Sequence, residues 1–189
     1  MQKTTCFITG HRPHRFKFKY NENYNLCIKI KKALRTEIIR QYAENNVRRF
    51  WVGGAIGVDC WAAEIILELK TKDAYRDMEL LVALPFPAYD EKFDAKEKAR
   101  WHDILKGCTD SVTVCESYSV NAYQSRNYYM VDHSQYGVAV YDNDKSIRSR
   151  TGQTVHRAEK KGVPVTFIHP DTAQVEPSQG AIRNADPQF

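Results

Sequence analysis

Six short apolar runs, each separated from the next by a segment long enough for a helix, constrain the fold of this chain most strongly. The apolar runs occupy residues 4–9, 49–52, 79–84, 111–115, 136–141 and 163–168. Helical patterns occupy residues 22–45, 57–72, 90–106, 122–134 and 151–161. Strands that are apolar almost throughout and are joined by helices form parallel sheets covered on both faces. The sequence therefore predicts an α/β fold, a single Rossmann-like three-layer domain with a mostly parallel sheet of about six strands.

Length and composition agree with one globular domain. The chain has 189 residues, and we assign residues 1–169 to the domain. Residues 170–189 are polar and without periodicity, so we expect a flexible C-terminal tail. The five cysteines form no CxxC pair, which favours reduced thiols and a cytoplasmic protein. No apolar run approaches the length of a membrane span, so no membrane partner is expected.

Loops that follow the strands are the expected place for a ligand. In an open parallel sheet, ligands bind outside the carboxyl ends of the strands, near the point where the strand order reverses. Four loops of this kind stand out, at residues 9–15, 53–59, 85–89 and 142–154. We include Pro85 of the third loop and Asp142 of the fourth among the candidate ligand-binding residues.

A glycine turn between the second strand and its helix carries the clearest motif. Gly53, Gly54, Ala55 and Gly57 lie between the strand and the helix, and Asp59 follows them. Such a turn brings free backbone N–H groups of a helix N-terminus close to a bound phosphate. The alternative is a turn that needs glycine for its own geometry. We expect Asp59 to cap the helix and, if a nucleotide binds, to meet the ribose hydroxyls.

The loop after the first strand contributes Thr9, Gly10, His11 and Arg12, and Arg12 can form a forked contact with a phosphate. Beyond it, basic residues alternate with aromatic ones over residues 14–20. This alternation is compatible with base stacking, and equally with a solvated loop whose aromatic rings pack at the sheet edge. His11 and His14 have no Cys or carboxylate cluster nearby, so no metal site is predicted.

Two later segments offer further contacts. Arg126 and Asn127 lie on a predicted helix among tyrosines, which suits an adenine or a phosphate but also a surface Arg and a helix-packing Asn. Thr151 and Thr154 open the last helix, whose N-terminus is a second potential phosphate site or is simply capped by Thr151.

Four ordered segments, namely residues 9–13, 53–64, 126–132 and 139–154, together resemble the SLOG superfamily of Rossmann-like nucleotide-binding proteins. More narrowly, the chain is similar to the YpsA/YoqJ branch of small bacterial and phage proteins. The second and third segments also resemble the DNA-processing protein DprA. Where the family carries Gly-Gly-Thr, this chain has Ser149, Arg150 and Thr151. The arginine can add a charge contact or block the approach of a phosphate to the backbone.

The resemblance and the motifs leave three functions open. The first is a module that binds a small nucleotide-like ligand, such as NAD or ADP-ribose, without a required cofactor. The second is an N-glycosidic hydrolase resembling the superfamily's phosphoribohydrolases. This chain lacks their Pro-Gly-Gly-x-Gly-Thr-x-x-Glu motif, and Glu64 is the candidate catalytic residue, with Asp59 as the other carboxylate that the motifs offer. The third is single-stranded DNA binding, which the net charge of only +5 disfavours. We expect little or no catalysis. The oligomeric state, including a homodimer, stays open.

Overall fold

One seven-stranded sheet forms the centre of the molecule in the computed structural model, which describes residues 3–176. The strands are β1 (Thr4–Gly10), β2 (Val47–Val52), β3 (Glu79–Leu84), β4 (Asp110–Thr113), β5 (Tyr136–Val140), β6 (Val165–Ile168) and β7 (Val175–Glu176). Their order is β4-β3-β2-β1-β5-β6-β7, and every neighbouring pair is parallel except β6 and β7. The predicted α/β fold with a mostly parallel sheet is confirmed.

Five α-helices cover both faces of this sheet. They are α1 (Asn25–Glu44), α2 (Val58–Lys70), α3 (Ala95–Gly107), α4 (Ala122–Asp132) and α5 (Arg150–Lys161). Alternate residues of each strand point to opposite faces, so Ile8 packs with α1 and α2 while its neighbour Phe7 packs with α4 and α5. None of the helices in residues 3–176 is long and apolar enough to cross a membrane.

The strand order reverses at β1. From β1 the chain adds β2, β3 and β4 in one direction, and β5 then returns to the other side of β1. The first three helices share one face, whereas α4 and α5 pack on the other. Gly10 at the end of β1 pairs with Val140 at the end of β5. The loops after these two strands therefore diverge to opposite faces and leave a crevice at the carboxyl edge.

Helix boundaries differ from the predicted ones where a side chain caps the backbone. The predicted helix at 90–106 begins only at Ala95, because the Asp94 carboxylate accepts a hydrogen bond from Glu97 N at 2.8 Å. The last helix begins at Arg150, because Ser149 Oγ accepts one from Gly152 N at 2.9 Å. Thr151 is therefore inside the helix and is not its cap.

The seventh strand was not predicted. Val175 and Glu176 pair antiparallel with β6, so residues 170–176, which we assigned to the tail, belong to the edge of the sheet. Two residues are too few to leave a periodic signal in the sequence. The rest of the predicted tail, 177–189, lies outside the described residues.

Candidate functional site

A cleft of about 350 Å³ opens at the carboxyl ends of β1 and β5, where the strand order reverses. We call it the arginine cleft. It is lined by Thr9, Gly10, His11, Arg12, His14, Arg15, Ala55, Ile56, Val58, Asp59, Arg126, Asn127, Arg148, Ser149, Arg150 and Thr151. Three separate loops and the first turns of α2 and α5 contribute to it, together with one side of α4. The fold thus brings together segments that are far apart in the chain.

The charge of the arginine cleft is strongly unbalanced. Its lining contains five arginines and one carboxylate, that of Asp59. Within residues 3–176, none of these five guanidinium groups has a carboxylate oxygen within 4.0 Å. A concave surface of this kind concentrates positive potential and attracts anions.

Arg126 is the most buried of the five, with only 4 % of its surface exposed. Its Nε donates a hydrogen bond to Asn127 Oδ1 at 2.7 Å, which fixes the direction of the guanidinium. Burial lowers the pKa of Arg126 to about 10, against the opposing influence of Asp59. Arg126 is therefore still charged at neutral pH and has lost much of its hydration.

Gly53 makes room for this arginine. A Cβ atom at Gly53 would collide with Arg126 Nη1 and would lie 2.8 Å from Asp59 Oδ2. The glycine therefore lets Arg126 and Asp59 approach the end of β2 from two sides. Its first role is toward the protein's own side chains, a reason for glycine that neither interpretation of the turn included.

Asp59 does not cap α2. It is the second residue of the helix, whose N-cap is Gly57, and its Oδ2 accepts hydrogen bonds from Gly53 N at 3.1 Å and Ala55 N at 3.2 Å. The carboxylate therefore closes the glycine turn onto the helix. Burial raises the pKa of Asp59, which Arg126 partly offsets.

Gly57 does not line the cleft. Its φ of 99° is a conformation that residues with a side chain rarely adopt. A Cβ there would also lie 3.0 Å from Pro13 Cδ. Gly57 is therefore explained by the turn itself.

His11 lies in the wall of the arginine cleft and is only 4 % exposed. Its Nε2 is 3.8 Å from Asp142 Oδ1, and its Nδ1 has no hydrogen-bond partner in the described part of the chain. Burial and the nearby Arg15 lower the pKa of His11, so the imidazole is neutral at pH 7. Asp142 itself contacts His11 without lining the cleft.

The start of α5 supplies cations as well as backbone N–H groups. Thr151 lines the cleft, whereas Thr154 donates its hydroxyl to Arg150 O at 2.9 Å and lies outside the lining. The guanidinium of Arg150 lies 4.5 Å from the centre of the Tyr123 ring. Arg150 therefore adds a cation to the wall of the cleft.

A smaller compartment of about 120 Å³ adjoins the cleft, and we call it the aromatic compartment. It is lined by Arg12, Pro13, His14, Tyr20, Gly53, Gly54, Ala55, Ile56, Pro85, Tyr89, Phe93, Tyr123 and Arg126. Arg12 and Arg126 belong to both linings, so they stand at the boundary between the two spaces. Of the predicted residues, Gly53, Gly54 and Pro85 line this compartment alone, whereas Ala55, like the two arginines, lines both spaces.

Glu64 is not at the cleft. Its two carboxylate oxygens accept hydrogen bonds from Arg100 at 2.5 and 2.7 Å, on the side of α2 that faces α3. Phe16 and Phe18, which alternate with basic residues in the sequence, are buried and stack on each other at 4.9 Å. Those two rings belong to the core, as one of our two interpretations of the loop expected.

Sequence reasoning left several lining residues out of the candidate set. Arg148 lies in the irregular loop before α5, while Tyr89 and Phe93 lie in a segment that we divided between a loop and a helix. A usable signal was present in the two arginines that flank Ser149, just before a helix N-terminus. The tyrosine and phenylalanine gave none, because only the fold of residues 85–94 brings them to the compartment.

Two known bacterial proteins are similar to this chain in sequence over most of their length. A UPF0398 protein of Halalkalibacterium halodurans is 29 % identical over 140 residues, which are 73 % of this chain and 72 % of that protein. A UPF0398 protein of Bacillus cereus is 28 % identical over 158 residues, 82 % of each chain.

Among solved structures, DNA processing protein A from Helicobacter pylori superposes with a TM-score of 0.56 at 16 % identity. The match covers 95 % of this chain and 70 % of that one. The Helicobacter pylori protein has a single-stranded DNA binding mode described as unique. At this identity the likeness concerns the fold alone.

The model of the YpsA family, described as the YspA SLOG family, matches residues 6–173. This range runs from β1 to the turn before β7 and includes every segment that lines the arginine cleft. The chain therefore belongs to the YspA SLOG family.

Proposed function

We propose that this protein binds a nucleotide or nucleotide derivative of the NAD or ADP-ribose type through its phosphate groups in the arginine cleft. The observation that carries the proposal is the excess of five arginines over one carboxylate in a crevice at the strand-order reversal. Crevices at this point of doubly wound sheets are the usual ligand sites of such folds. The cleft and the aromatic compartment together fall within the size range of small-molecule sites.

The state of Arg126 supports an anionic ligand. A buried guanidinium without a carboxylate partner is energetically costly, because its lost hydration is not replaced. A phosphate in the cleft supplies that replacement and accepts forked hydrogen bonds from arginine. Arg12, Arg148 and Arg150 stand exposed around the same space and add charge.

The hydrolase alternative has less support. It needs a carboxylate beside the scissile bond, and its candidate Glu64 is held by Arg100 outside the cleft. Asp59 is the carboxylate in the lining, and its Oδ2 already accepts two backbone hydrogen bonds. We expect incubation with AMP, NAD and ADP-ribose to release no more base or nicotinamide than buffer does.

Single-stranded DNA is the second candidate ligand. The observation in its favour is the exposed basic loop of Arg12, Arg15, Lys17 and Lys19 beside the cleft. When a protein neutralises several phosphates of a DNA strand, its affinity for the strand falls steeply with salt. The affinity for a ligand with two phosphates falls less. Binding of an oligothymidylate at two salt concentrations, with and without ADP-ribose as competitor, separates the two ligands.

The test of the proposal is calorimetric titration with ADP-ribose, ADP and adenosine. We expect Arg12→Ala to weaken the two phosphate-bearing ligands by about 1.5–3 kcal/mol, the value of a charge-assisted hydrogen bond. Adenosine binding should change little. Arg76→Ala is the matched control, because Arg76 is an exposed arginine that pairs with Asp73 away from the cleft. Absence of binding to the wild type contradicts the proposal. Equal losses for ADP and adenosine mean that Arg12 does not contact phosphate.

A further inference from the structure

The aromatic compartment differs in chemistry from the cleft that it adjoins. Four aromatic side chains, two prolines and the glycine turn form most of its wall, and Arg12, Arg126 and His14 are its basic residues. It contains no carboxylate among the described residues. A flat, uncharged ring fits such a space better than a phosphate or a cation does.

Tyr123 connects the two spaces. Its ring lines the aromatic compartment, while the guanidinium groups of Arg150 and Arg12 lie 4.5 and 5.3 Å from the ring centre. Both arginines also line the cleft. A phosphate bound by these arginines therefore places the next group of its ligand at the face or edge of Tyr123.

Tyr89 adds a polar group to the wall of the aromatic compartment. Its ring lies against the glycine turn, since a Cβ at Gly54 would be 3.3 Å from Tyr89 Cε2. Its hydroxyl is buried and has no hydrogen-bond partner within residues 3–176. Burial raises the pKa of Tyr89, so the hydroxyl keeps its proton and can donate it in a hydrogen bond.

We propose that the aromatic compartment receives the neutral aromatic base of a nucleoside phosphate, whose phosphates lie in the arginine cleft. This inference rests on the proposed function and adds a ligand class to it. By binding the base, the aromatic compartment selects nucleotides over inorganic phosphates and sugar phosphates. The arginines at the boundary disfavour a cationic ring, such as the oxidised nicotinamide ring of NAD⁺, in this compartment. For a dinucleotide such as NAD, the adenine therefore occupies it.

The test compares ADP with inorganic pyrophosphate, which carries the same diphosphate without the nucleoside. We expect the wild-type protein to bind ADP at least about ten-fold more tightly than pyrophosphate, because stacking of a base on aromatic rings contributes ~1–3 kcal/mol. Tyr123→Leu should weaken ADP about ten-fold and change pyrophosphate by less than about three-fold. Tyr118→Leu is the matched control, since Tyr118 is 69 % exposed and lines neither space.

The outcomes separate this inference from the proposal beneath it. If pyrophosphate binds as tightly as ADP, or if Tyr123→Leu weakens both equally or leaves ADP unchanged, the base is not in the compartment and phosphate binding still stands. If the wild-type protein binds neither ADP nor pyrophosphate, the proposed function is wrong and this inference fails with it. A loss of ADP affinity in Tyr118→Leu equal to that in Tyr123→Leu also contradicts the inference.

Discussion

Two arginine clusters of this protein, centred on Arg126 and Arg100, have opposite surroundings. Arg100 donates hydrogen bonds to Glu22 at 2.6 Å and to Glu64 at 2.5 Å, and Glu97 lies 3.8 Å away. Arg126 has Asn127 as its hydrogen-bond partner and no carboxylate oxygen within 4.0 Å in the described chain. The positive charge of Arg100 is therefore balanced by carboxylates, whereas that of Arg126 has no directly paired carboxylate among the described residues.

The difference teaches which arginines are available to a ligand. Burial alone would raise the pKa of Glu22, but hydrogen bonds from Arg100 and Lys31 outweigh it and lower that pKa to about 2. The Arg100 cluster therefore ties α3 to α2 and to the loop before α1, and both of its cations are matched by carboxylates. In the arginine cleft, the guanidinium groups of Arg126 and Arg150 lie beside an amide oxygen and an aromatic ring instead of carboxylates, so their charge and their donors stay open to an anion.

The largest expected effect comes from removing the unpaired arginine. We expect Arg126→Met to weaken ADP binding at least about 100-fold, because a buried charged donor contributes ~3 kcal/mol or more to an anion. The free energy of unfolding should stay within about 1 kcal/mol of the wild type, because the desolvation cost removed with Arg126 offsets its lost attraction to Asp59, whose Oδ2 keeps two backbone hydrogen bonds. Calorimetry and urea denaturation measure the two quantities. A large loss of stability with unchanged affinity would contradict the comparison.

The paired arginine should behave in the reverse way. Arg100→Met leaves Glu64 without its partner and Glu22 with Lys31 alone, and we expect the free energy of unfolding to fall by about 2 kcal/mol. The value lies below that for fully buried pairs, because the Glu64 side chain is 41 % exposed. The affinity for ADP should not change. Urea denaturation with ADP titration on the same samples checks both, and lost affinity at full stability would show that Arg100 serves the ligand.

Sequence reasoning succeeded for the fold because the signal is long and repeated. Five of the six predicted strands are buried almost throughout, and their alternation with helices allows few topologies. The short strand β7 was not predicted, because its pairing with β6 and not its own sequence pattern makes it a strand. Helix starts shifted where Asp94 and Ser149 act as caps.

The candidate site was predictable as a place but not as a set of side chains. The rule for parallel sheets located the loops that the structure brings together at the arginine cleft. It did not predict which way each residue faces. Gly57, Asp142 and Thr154 belong to those loops and lie outside both linings. Their directions depend on a positive φ, on His11 and on a bond to Arg150 O, all properties of the folded chain.

A smaller effect is expected from the glycine that makes room for Arg126. Gly53→Ala places a Cβ where the Arg126 guanidinium now lies, so the arginine must shift. We expect ADP binding to weaken about ten-fold, since a charge-assisted hydrogen bond loses its geometry. Arg126→Met combined with Gly53→Ala should be no worse for binding than Arg126→Met alone, which a double-mutant cycle measures. Additive losses would mean that Gly53 acts on the ligand directly.

The smallest expected effects concern the free energy of unfolding at acidic pH. The two clusters should each lose stability in a different pH range. Glu22 has a folded pKa of about 2 against an ordinary 4.5, so the unfolded state takes up its proton first. Its contribution to stability is complete above pH 4.5 and is lost as the pH falls from there toward 2. For His11, burial and Arg15 lower the pKa below its ordinary 6.5, so the unfolded state again takes up a proton first.

The stability linked to His11 therefore begins to fall as soon as the pH drops below 6.5, two units above the range of Glu22. Urea denaturation between pH 7.5 and 3 on the wild type, His11→Gln and Glu22→Gln isolates each contribution. We expect His11→Gln to flatten the upper part of the profile and Glu22→Gln the lower part. A phosphate ligand in the cleft should stabilise protonated His11 and raise its folded pKa toward 6.5, so saturating ADP should make the upper decline smaller. If ADP leaves the size of that decline unchanged, its phosphates lie away from His11.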